Sequence, residues 1–308
     1  MISSEQSTAY NVARIILSGR EYGFAALIAG KKIDWDLFTG LCRYHGLHPF
    51  VHKAVSGSGV SMPADAAGFF EHSYYDSLIL SEKYLREFLR ISDAFLEKDI
   101  LCVPLKGIAF LFDIYRDNPV RVMRDIDILV RAEDVPAAEQ VMALLGYSLR
   151  TEGLARDYWL KVQNQLQYES VRQNSMFHVD LHVRFDVNAQ LFVPKLWDRM
   201  RIQECGGRSV RLLSVEDSII HLALHQRRFG DTLNLKNILD CALLLKKNRG
   251  AVDWDYIAGI AGKEKMRSSL YFLLIQARDI LGTDLPESFV RGLGVSRWKA
   301  KWMSLDWE

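Results

Sequence analysis

The chain has 308 residues, of which 49% are hydrophobic and 25% are charged, and its formal net charge is +1. This composition is ordinary for a globular protein, and it excludes a disordered chain, a collagen-like fibre and a small disulfide scaffold. At about 100–200 residues per domain, the length allows two domains, or one domain with extensions.

Membrane, secretion and cysteine signals are all weak. No apolar run approaches the roughly 18 residues that span a bilayer, and the N-terminal MISSEQSTAYN has neither the basic nor the apolar region of a secretory signal. The four cysteines show no CxxC spacing, which argues against a zinc site or a disulfide framework. We therefore expect a cytoplasmic protein with reduced thiols and no membrane partner. Because no dense basic stripe is present, binding to duplex DNA is not expected.

The first third of the chain is predicted to be helical. Apolar residues recur at spacings of three and four over 11–29, Trp35–Tyr44 and 78–96. The stretch 55–68 is rich in Gly, Ser and Pro and is predicted to be a linker. Its Gly-Ser-Gly lacks the preceding strand and the GK[ST] ending of a phosphate loop.

The middle of the chain changes to alternating strand and helix patterns, in the order β-α-β-α-β-β-β. The predicted strands are 100–105, Ile126–Val130, 147–150, 165–171 and 177–185. The predicted helices between the first three strands are 108–115 and 135–145. Helical patterns then return over 215–226, 233–247, 254–261 and 266–281.

Two carboxylates in RDIDILV are the most informative feature of the sequence. Successive side chains of a strand point to opposite faces, so Asp125 and Asp127 share one face and Ile126 and Ile128 share the other. Two like charges at this spacing are costly neighbours unless a cation lies between them. Carboxylate oxygens suit Mg²⁺ or Mn²⁺, so the pair is predicted to bind such an ion.

A third carboxylate lies in the alternating stretch FHVDLHVRF, where Asp180 shares the polar face with His178 and His182. If this strand lies beside that of Asp125 and Asp127, three carboxylates converge. Such an arrangement is typical of a two-metal phosphoryl-transfer site. His182 either orients Asp180, takes part in proton transfer, or is a structural histidine.

The stretch PLKGIAF predicts a phosphate-binding turn. A strand ends, Gly107 follows and a helix opens, so backbone N–H groups can approach a phosphate closely. Lys106 supplies a nearby cation, unless it is only a surface residue at the strand end. Arg121 and Arg124 precede the carboxylates, and they either hold further phosphate oxygens or neutralise the aspartates.

Polar residues on the later helices are given structural interpretations. His221 and His225 have i, i+4 spacing but no third ligand, so packing of the helical region is favoured over zinc binding. Lys236 and Asp240, one turn apart, are predicted to be a helix-surface pair. Three basic residues are candidates for lining a nucleotide cleft: His225, Arg227 and Arg228.

The stretch LKGIAFLFDIYRDNPVRVMRDIDILV, followed by a helix and LLGY, resembles the uncharacterised nucleotidyltransferase family of the DNA polymerase beta-like superfamily. The VDLH strand, the HLALH helix and LKNILD extend the resemblance over roughly residues 10–280. The resemblance implies an α+β fold, with a polymerase-beta-like nucleotidyltransferase core (a short mixed sheet with helices) flanked by N- and C-terminal helical regions. We expect three units: a helical region (1–98), the nucleotidyltransferase core (99–190) and a helical domain (191–308).

By position, the resemblance implies that Gly107 is the phosphate-loop glycine, and that Asp125, Asp127 and Asp180 are the catalytic, metal-binding carboxylates. The implied activity is metal-dependent transfer of a nucleoside monophosphate from a nucleoside triphosphate to an acceptor hydroxyl, with release of pyrophosphate. The cofactor would be Mg²⁺ or Mn²⁺, and the acceptor a small molecule or a macromolecule. Ile108 stands where many active members carry serine. This departure keeps open a second hypothesis, a catalytically silent binding module, antitoxin-like or partner-binding.

Overall fold

A computed structural model gives the fold. It describes residues 4–18, 25, 32–56, 58–150, 153, 155–172, 175–185, 196–205, 207–227 and 233–303, with Ser4, Ser18 and Trp302 described by their backbone alone. The second half of the predicted helix 11–29, apart from Ala25, and the cleft candidate Arg228 lie outside the described residues.

The described residues of the N-terminal region form four helices. They are α1 (Ser4–Ser18), α2 (Trp35–Tyr44), α3 (His48–Val55) and α4 (Ala64–Leu96). Helix α2 begins where the Asp34 side chain accepts a hydrogen bond from the Leu37 N–H, a usual helix start. Helix α4 begins inside the predicted linker 55–68, fourteen residues before the predicted start at 78. Its first turns bury only a narrow stripe that includes Ala66 and Phe70, so their apolar period is weak.

The described residues in the middle of the chain form a five-stranded mixed sheet with two helices of 6 and 10 residues. In chain order these elements are β1 (Cys102–Pro104), α5 (Lys106–Leu111), β2 (Ile126–Val130), α6 (Val135–Leu144), β3 (Ser148–Arg150), β4 (Gln165–Arg172) and β5 (Ser175–His182). The strand order is β1-β2-β5-β4-β3, with β2 and β5 parallel and the other pairs antiparallel. The five predicted strands and the two predicted helices are present in the predicted order, although α5 is shorter than predicted and begins two residues earlier. A helical segment over 156–163, between β3 and β4, was not predicted.

The register of the sheet separates a polar face from an apolar face. Asp127 of β2 lies opposite Asp180 of β5, which lies opposite Gln167 of β4. The alternate residues of these strands are buried on the other face, where the ring of Tyr84 in α4 lies 5.9 Å from that of Phe177. One face of the sheet is therefore covered by helix and the other carries the carboxylates.

The C-terminal region contains a hairpin followed by helices. These elements are β6 (Arg201–Cys205), β7 (Arg208–Leu212), α7 (Val215–Arg227), α8 (Leu235–Lys247), α9 (Trp254–Lys263), α10 (Arg267–Leu281), α11 (Glu287–Gly292) and α12 (Arg297–Met303). The hairpin was not predicted, because its strands RIQEC and RSVRL are mostly polar and give no apolar stripe.

One hydrophobic core joins the regions. It contains Phe88 of α4, Ile128 of β2, Leu239 of α8 and Leu273 of α10, all fully buried. The predicted α+β class, with a mixed sheet flanked by helical regions, is confirmed. Within the described ranges, no helix combines the length and the apolar character needed to cross a membrane.

Candidate active site

Two carboxylates and an imidazole converge on the polar face of the sheet. Parallel pairing places Asp127 directly opposite Asp180, and His182 follows two residues later on the same face. One ligand atom from each of these side chains lies within 4.8 Å of the other two. The strands that carry Asp127 and Asp180 are therefore adjacent, as predicted, and His182 belongs to the cluster as well.

Asp127 is held by two basic side chains. The Lys106 Nζ donates to Asp127 Oδ1 at 2.8 Å, and His182 Nε2 lies 2.7 Å from the same oxygen. Burial by itself would raise the pKa of Asp127, but Lys106 and His182 more than offset it and hold that pKa far below its ordinary range. Asp127 is therefore an ionised carboxylate, and His182 orients Asp127 instead of Asp180.

Asp180 is held by two amides from the neighbouring strand. The Gln165 Nε2 donates to Asp180 Oδ2 at 2.6 Å, and Gln167 Nε2 lies 3.3 Å from Asp180 Oδ1. Burial, with the negative charges of Asp127 and Asp125, raises the pKa of Asp180 to about 7. Sequence reasoning missed both glutamines, although QLQYES alternates polar and apolar residues in a way that indicates a polar strand face.

Asp125 lies in a bend immediately before β2 and is half-buried. The charge of Asp127, and then burial, raise the pKa of Asp125. Among the residues that the structure describes, the compact ligand cluster contains His182 and not Asp125. Asp125 is thus an electrostatic neighbour of the cluster, slightly outside it.

The donors of this site fit a divalent cation. Asp127 and Asp180, with Asp125 beside them, offer the carboxylate oxygens that Mg²⁺ and Mn²⁺ prefer. Mutual repulsion among the three carboxylates contributes to the raised pKa of Asp125 and, after burial, to that of Asp180. A cation among these oxygens would remove that repulsion.

The turn before α5 differs from the expected glycine turn, because the left-handed backbone conformation is at Lys106 and not at Gly107. Lys106 has the positive φ, 47°, which is uncommon for a residue with a side chain and directs its ammonium to Asp127. A Cβ added to Gly107 would lie 2.5 Å from Arg121 Nη1 and 2.6 Å from Met123 Sδ. The absence of a side chain at Gly107 therefore lets Arg121 and Met123 pack closely against its backbone. Phosphate binding at Gly107 stays a prediction.

Arg121 is committed to a buried ion pair, which corrects the prediction that it holds phosphate oxygens. Its Nη2 donates to Asp240 Oδ2 at 2.5 Å and its Nε to Asp240 Oδ1 at 3.0 Å, while Tyr115 Oη also donates to Asp240 Oδ1. Arg121 is 5% exposed and Asp240 is 0% exposed. The prediction of a surface pair between Asp240 and Lys236 is therefore wrong, because Asp240 faces the interior.

Two further cations lie near Asp125. The Lys236 Nζ is 3.4 Å from the Val122 carbonyl oxygen, and burial, with the charge of Arg121, lowers the pKa of Lys236 to about 8. Arg124 is exposed, as a predicted phosphate contact would be. From the sequence, Lys236 of the LKNILD motif was predicted only to form a helix-surface pair with Asp240, four residues later. Its position near Asp125 was therefore not predicted.

The histidines of α7 pack against the site without joining its ligand cluster. His221 is buried and stacks on Phe185, with ring centroids 4.4 Å apart. Burial, and then the charge of Lys106, hold the pKa of His221 well below its ordinary value. His225 and Arg227 are half-buried near the end of the helix. The burial of His221 and its stacking on Phe185 agree with the prediction that this histidine packs in the interior instead of binding zinc.

Comparison with known proteins gives one family and several similar structures. The model of a family described as "Uncharacterised nucleotidyltransferase" matches residues 31–282. The solution structure of the antibiotic-resistance factor ANT(2'')-Ia has a TM-score of 0.43 and 15% identity, over 61% of this chain and 94% of that one. A crystal structure of ANT(2'')-Ia with adenylyl-2''-tobramycin has a TM-score of 0.42 and 15% identity, over 59% of this chain and 97% of that one. An antigenic nucleotidyltransferase-like protein from Paracoccidioides brasiliensis has a TM-score of 0.36 and 14% identity, over 64% of this chain and 91% of that one. No curated protein matches the chain.

Proposed function

Because this chain belongs to the uncharacterised nucleotidyltransferase family, we propose that it transfers a nucleoside monophosphate from a nucleoside triphosphate to an acceptor hydroxyl. The observation that carries the proposal is the pairing of Asp127 with Asp180 across two parallel strands, with Asp125 beside them. Carboxylates grouped in this way are suited to holding divalent cations at a reacting phosphate.

Asp125, Asp127 and Asp180 would hold the cation, for which Mg²⁺ or Mn²⁺ matches the oxygen donors. When bound, the ion would neutralise charge on the phosphates and make the acceptor oxygen more nucleophilic. His182 would act through Asp127, keeping that carboxylate in a fixed orientation.

Asp180 is the group we propose to take the acceptor proton. The acceptor oxygen forms a bond to the α-phosphorus, and the bond from that phosphorus to the oxygen bridging to the β-phosphate breaks. The hydroxyl proton passes to Asp180 and pyrophosphate leaves. A carboxylate beside the acceptor hydroxyl can accept its proton by general-base catalysis. Gln165 and Gln167 position this carboxylate.

Cations on the other side of Asp125 are proposed to receive the β- and γ-phosphates. Lys106 and Arg124 keep the role predicted from the sequence, together with backbone N–H groups at Gly107. Lys236 adds a cation from α8 on the same side. Arg121 holds the segment that carries these residues, through its contact with Gly107 and its ion pair with Asp240.

Calorimetry with ATP, CTP, GTP and UTP in Mg²⁺ tests the proposal. We expect the wild type to bind at least one nucleotide and the double variant Asp125→Asn/Asp127→Asn to lose most of that affinity. Asp284→Asn, an exposed aspartate paired with Arg249, is the control and retains binding. Identical binding by wild type and double variant for every nucleotide would contradict the proposal.

Pyrophosphate release distinguishes turnover from binding alone. With a suitable acceptor, the enzyme releases pyrophosphate in a metal-dependent reaction that Asp180→Asn abolishes. Nucleotide binding with no release for any acceptor would instead support the silent binding module.

A further inference from the structure

The polar face of the sheet continues beyond Asp180 toward the edge strand. Gln167 lies opposite Asp180, and Arg150 of β3 lies opposite Gln167. In the next row, Glu169 lies opposite His178. Because directly opposite residues share a face, these four side chains form one surface next to the carboxylate cluster. We refer to Arg150, Gln167, Glu169 and His178 as the polar floor.

The polar floor is open to solvent, whereas the other face of β4 is covered. Gln167 and Glu169 are half-buried, and the intervening Leu166 and Tyr168 are buried. The Glu169 carboxylate lies 3.4 Å from the Arg150 guanidinium, and the two side chains are 44% and 37% exposed. An ion pair this exposed contributes little to stability, so both groups can redirect their hydrogen bonds to a ligand.

The position of the polar floor connects it to the acceptor. An acceptor hydroxyl that gives its proton to Asp180 must lie beside that carboxylate, and the rest of the molecule extends over neighbouring surface. Gln167 contacts Asp180 directly and belongs to the floor. Lys106 follows β1 and Asp125 precedes β2, whereas most of the floor lies on β4 and β3. The strand order therefore places the proposed phosphate-binding side and the floor on opposite sides of β5.

The charges of the floor disfavour an acceptor that carries phosphates. Arg150 is its only cation, and Glu169 already neutralises it. A nucleic-acid end would place phosphates next to Glu169 and Asp180, whereas such ligands require a surplus of cations. Single-stranded nucleic acid also stacks on aromatic side chains, and the floor contains no Phe, Tyr or Trp.

The chemical groups of the floor match a molecule with several hydroxyls. An amide, a carboxylate, a guanidinium and an imidazole together offer donors and acceptors in one layer. Val171 and Met176 lie at the outer end of the same face and are exposed, which gives the floor an apolar edge for C–H groups. Closely spaced hydroxyls on an otherwise uncharged ring are complementary to this mixture.

We propose that the polar floor binds the acceptor and that the acceptor is a carbohydrate without phosphate groups. This inference rests on the proposed nucleotidyl transfer and adds the class of substrate. Glu169 and Arg150 are its specificity residues, since they contact hydroxyls distant from the reacting one.

Transfer assays with α-labelled nucleoside triphosphates and Mg²⁺ test the inference. Three acceptor pools are compared: phosphate-free mono- to trisaccharides including amino sugars, short RNAs with free 3′ hydroxyls, and peptides containing Ser, Thr and Tyr. Mass spectrometry identifies any product that has gained a nucleoside monophosphate. We expect transfer to the carbohydrate pool, with Glu169→Gln and Arg150→Gln each raising the KM for the carbohydrate by about tenfold or more.

Arg172→Gln is the matched control, because Arg172 is exposed on the same strand but points to the opposite face. It should leave the KM for the carbohydrate at the wild-type value. Transfer to RNA or peptide alone, or carbohydrate transfer whose KM neither Glu169→Gln nor Arg150→Gln changes, would overturn the inference.

Saturation-transfer NMR separates failure of this inference from failure of the proposed function. The same carbohydrate pool is added to the full chain with a non-hydrolysable triphosphate and Mg²⁺. Carbohydrate binding that Glu169→Gln weakens supports the floor even without turnover. Nucleotide binding with no carbohydrate binding overturns the inference alone, and loss of nucleotide binding itself overturns the proposed function.

Discussion

At the scale of single residues, the candidate site is a balance of charges. Lys106 and His182 both contact Asp127 and keep it ionised. Among the described residues, the hydrogen-bond donors to Asp180 are the amides of Gln165 and Gln167, and burial with the nearby carboxylates raises its pKa to about 7. The sequence predicts Asp127 and Asp180, because the pattern of a strand places them on a polar face. It does not predict which basic residue contacts which carboxylate, since those contacts join residues 21 and 55 positions apart.

The raised pKa of Asp180 predicts a pH-dependent stability. A carboxyl whose pKa is higher in the folded than in the unfolded chain stabilises the fold at low pH, and this contribution is lost as pH rises toward 7. In EDTA, the part of the free energy of unfolding that depends on Asp180, measured as wild type minus Asp180→Asn in urea titrations, should fall between pH 5 and pH 8 by roughly 1.4 kcal/mol for each pKa unit.

The variant Asp180→Asn is the test of that assignment. It has no charge to bury at pH 8, so its stability should exceed that of the wild type at pH 8, and the difference between the two should shrink toward pH 5. The contributions of His221 and Asp125 are present in both proteins and largely cancel in this difference. A wild-type pH dependence that persists unchanged in Asp180→Asn would show that another group is responsible.

At the scale of secondary-structure elements, α8 holds the segment that precedes β2. The buried pair of Arg121 and Asp240 joins them, and Arg121 in turn fills the space beside Gly107. The strands and helices with a clear apolar period are predicted from sequence. The hairpin β6–β7 and the first half of α4 are not, because polar exposed residues hide their periods. The ion pair joins residues 119 positions apart, so no local pattern reveals it.

Asp240→Asn removes one charge of this buried pair and leaves the Arg121 guanidinium without its counter-ion. We expect a loss of about 3–5 kcal/mol in the free energy of unfolding, measured by urea titration. Asp284→Asn breaks the exposed pair with Arg249 and should cost less than about 1 kcal/mol. Equal small effects of the two substitutions would show that the buried pair does not stabilise the packing of α8 against the segment before β2.

Gly107→Ala tests the packing beside α5. The added methyl group would collide with Arg121 Nη1 and Met123 Sδ, so those side chains must move. We expect a lower Tm, with a destabilisation of about 1–3 kcal/mol. Gly40→Ala is the control, because a Cβ there meets no atom within 4 Å. A Tm for Gly107→Ala equal to that of Gly40→Ala would contradict the packing.

At the scale of the whole molecule, the sheet and the helical regions share one core. Phe88, Ile128 and Leu239 belong to the same buried cluster although each comes from a different one of the three expected units. The sequence patterns divide the chain into three units, and the two boundaries between these units remain predictions. The pattern cannot show how much apolar surface crosses a boundary, because that depends on the tertiary contacts.

A fragment of residues 99–190 tests whether the core unit is independent. Removing α4 and α8 exposes the apolar residues that pack against them, so the fragment should bind 1-anilinonaphthalene-8-sulfonate and unfold without a cooperative transition. The full chain under the same conditions is the reference. A dispersed NMR spectrum and cooperative unfolding of the fragment would contradict this expectation.

The ammonium of Lys106, 2.8 Å from Asp127, gives the acidic group a counter-ion that is part of the chain itself. This counter-ion offsets part of the acidic charge without help from solution. In the proposed reaction, a divalent cation at Asp127 would compete with the ammonium for the same oxygen, and a displaced Lys106 side chain would be available to the polyphosphate. A shortage of metal would then leave Asp127 paired with the lysine instead of exposed to unrelieved repulsion.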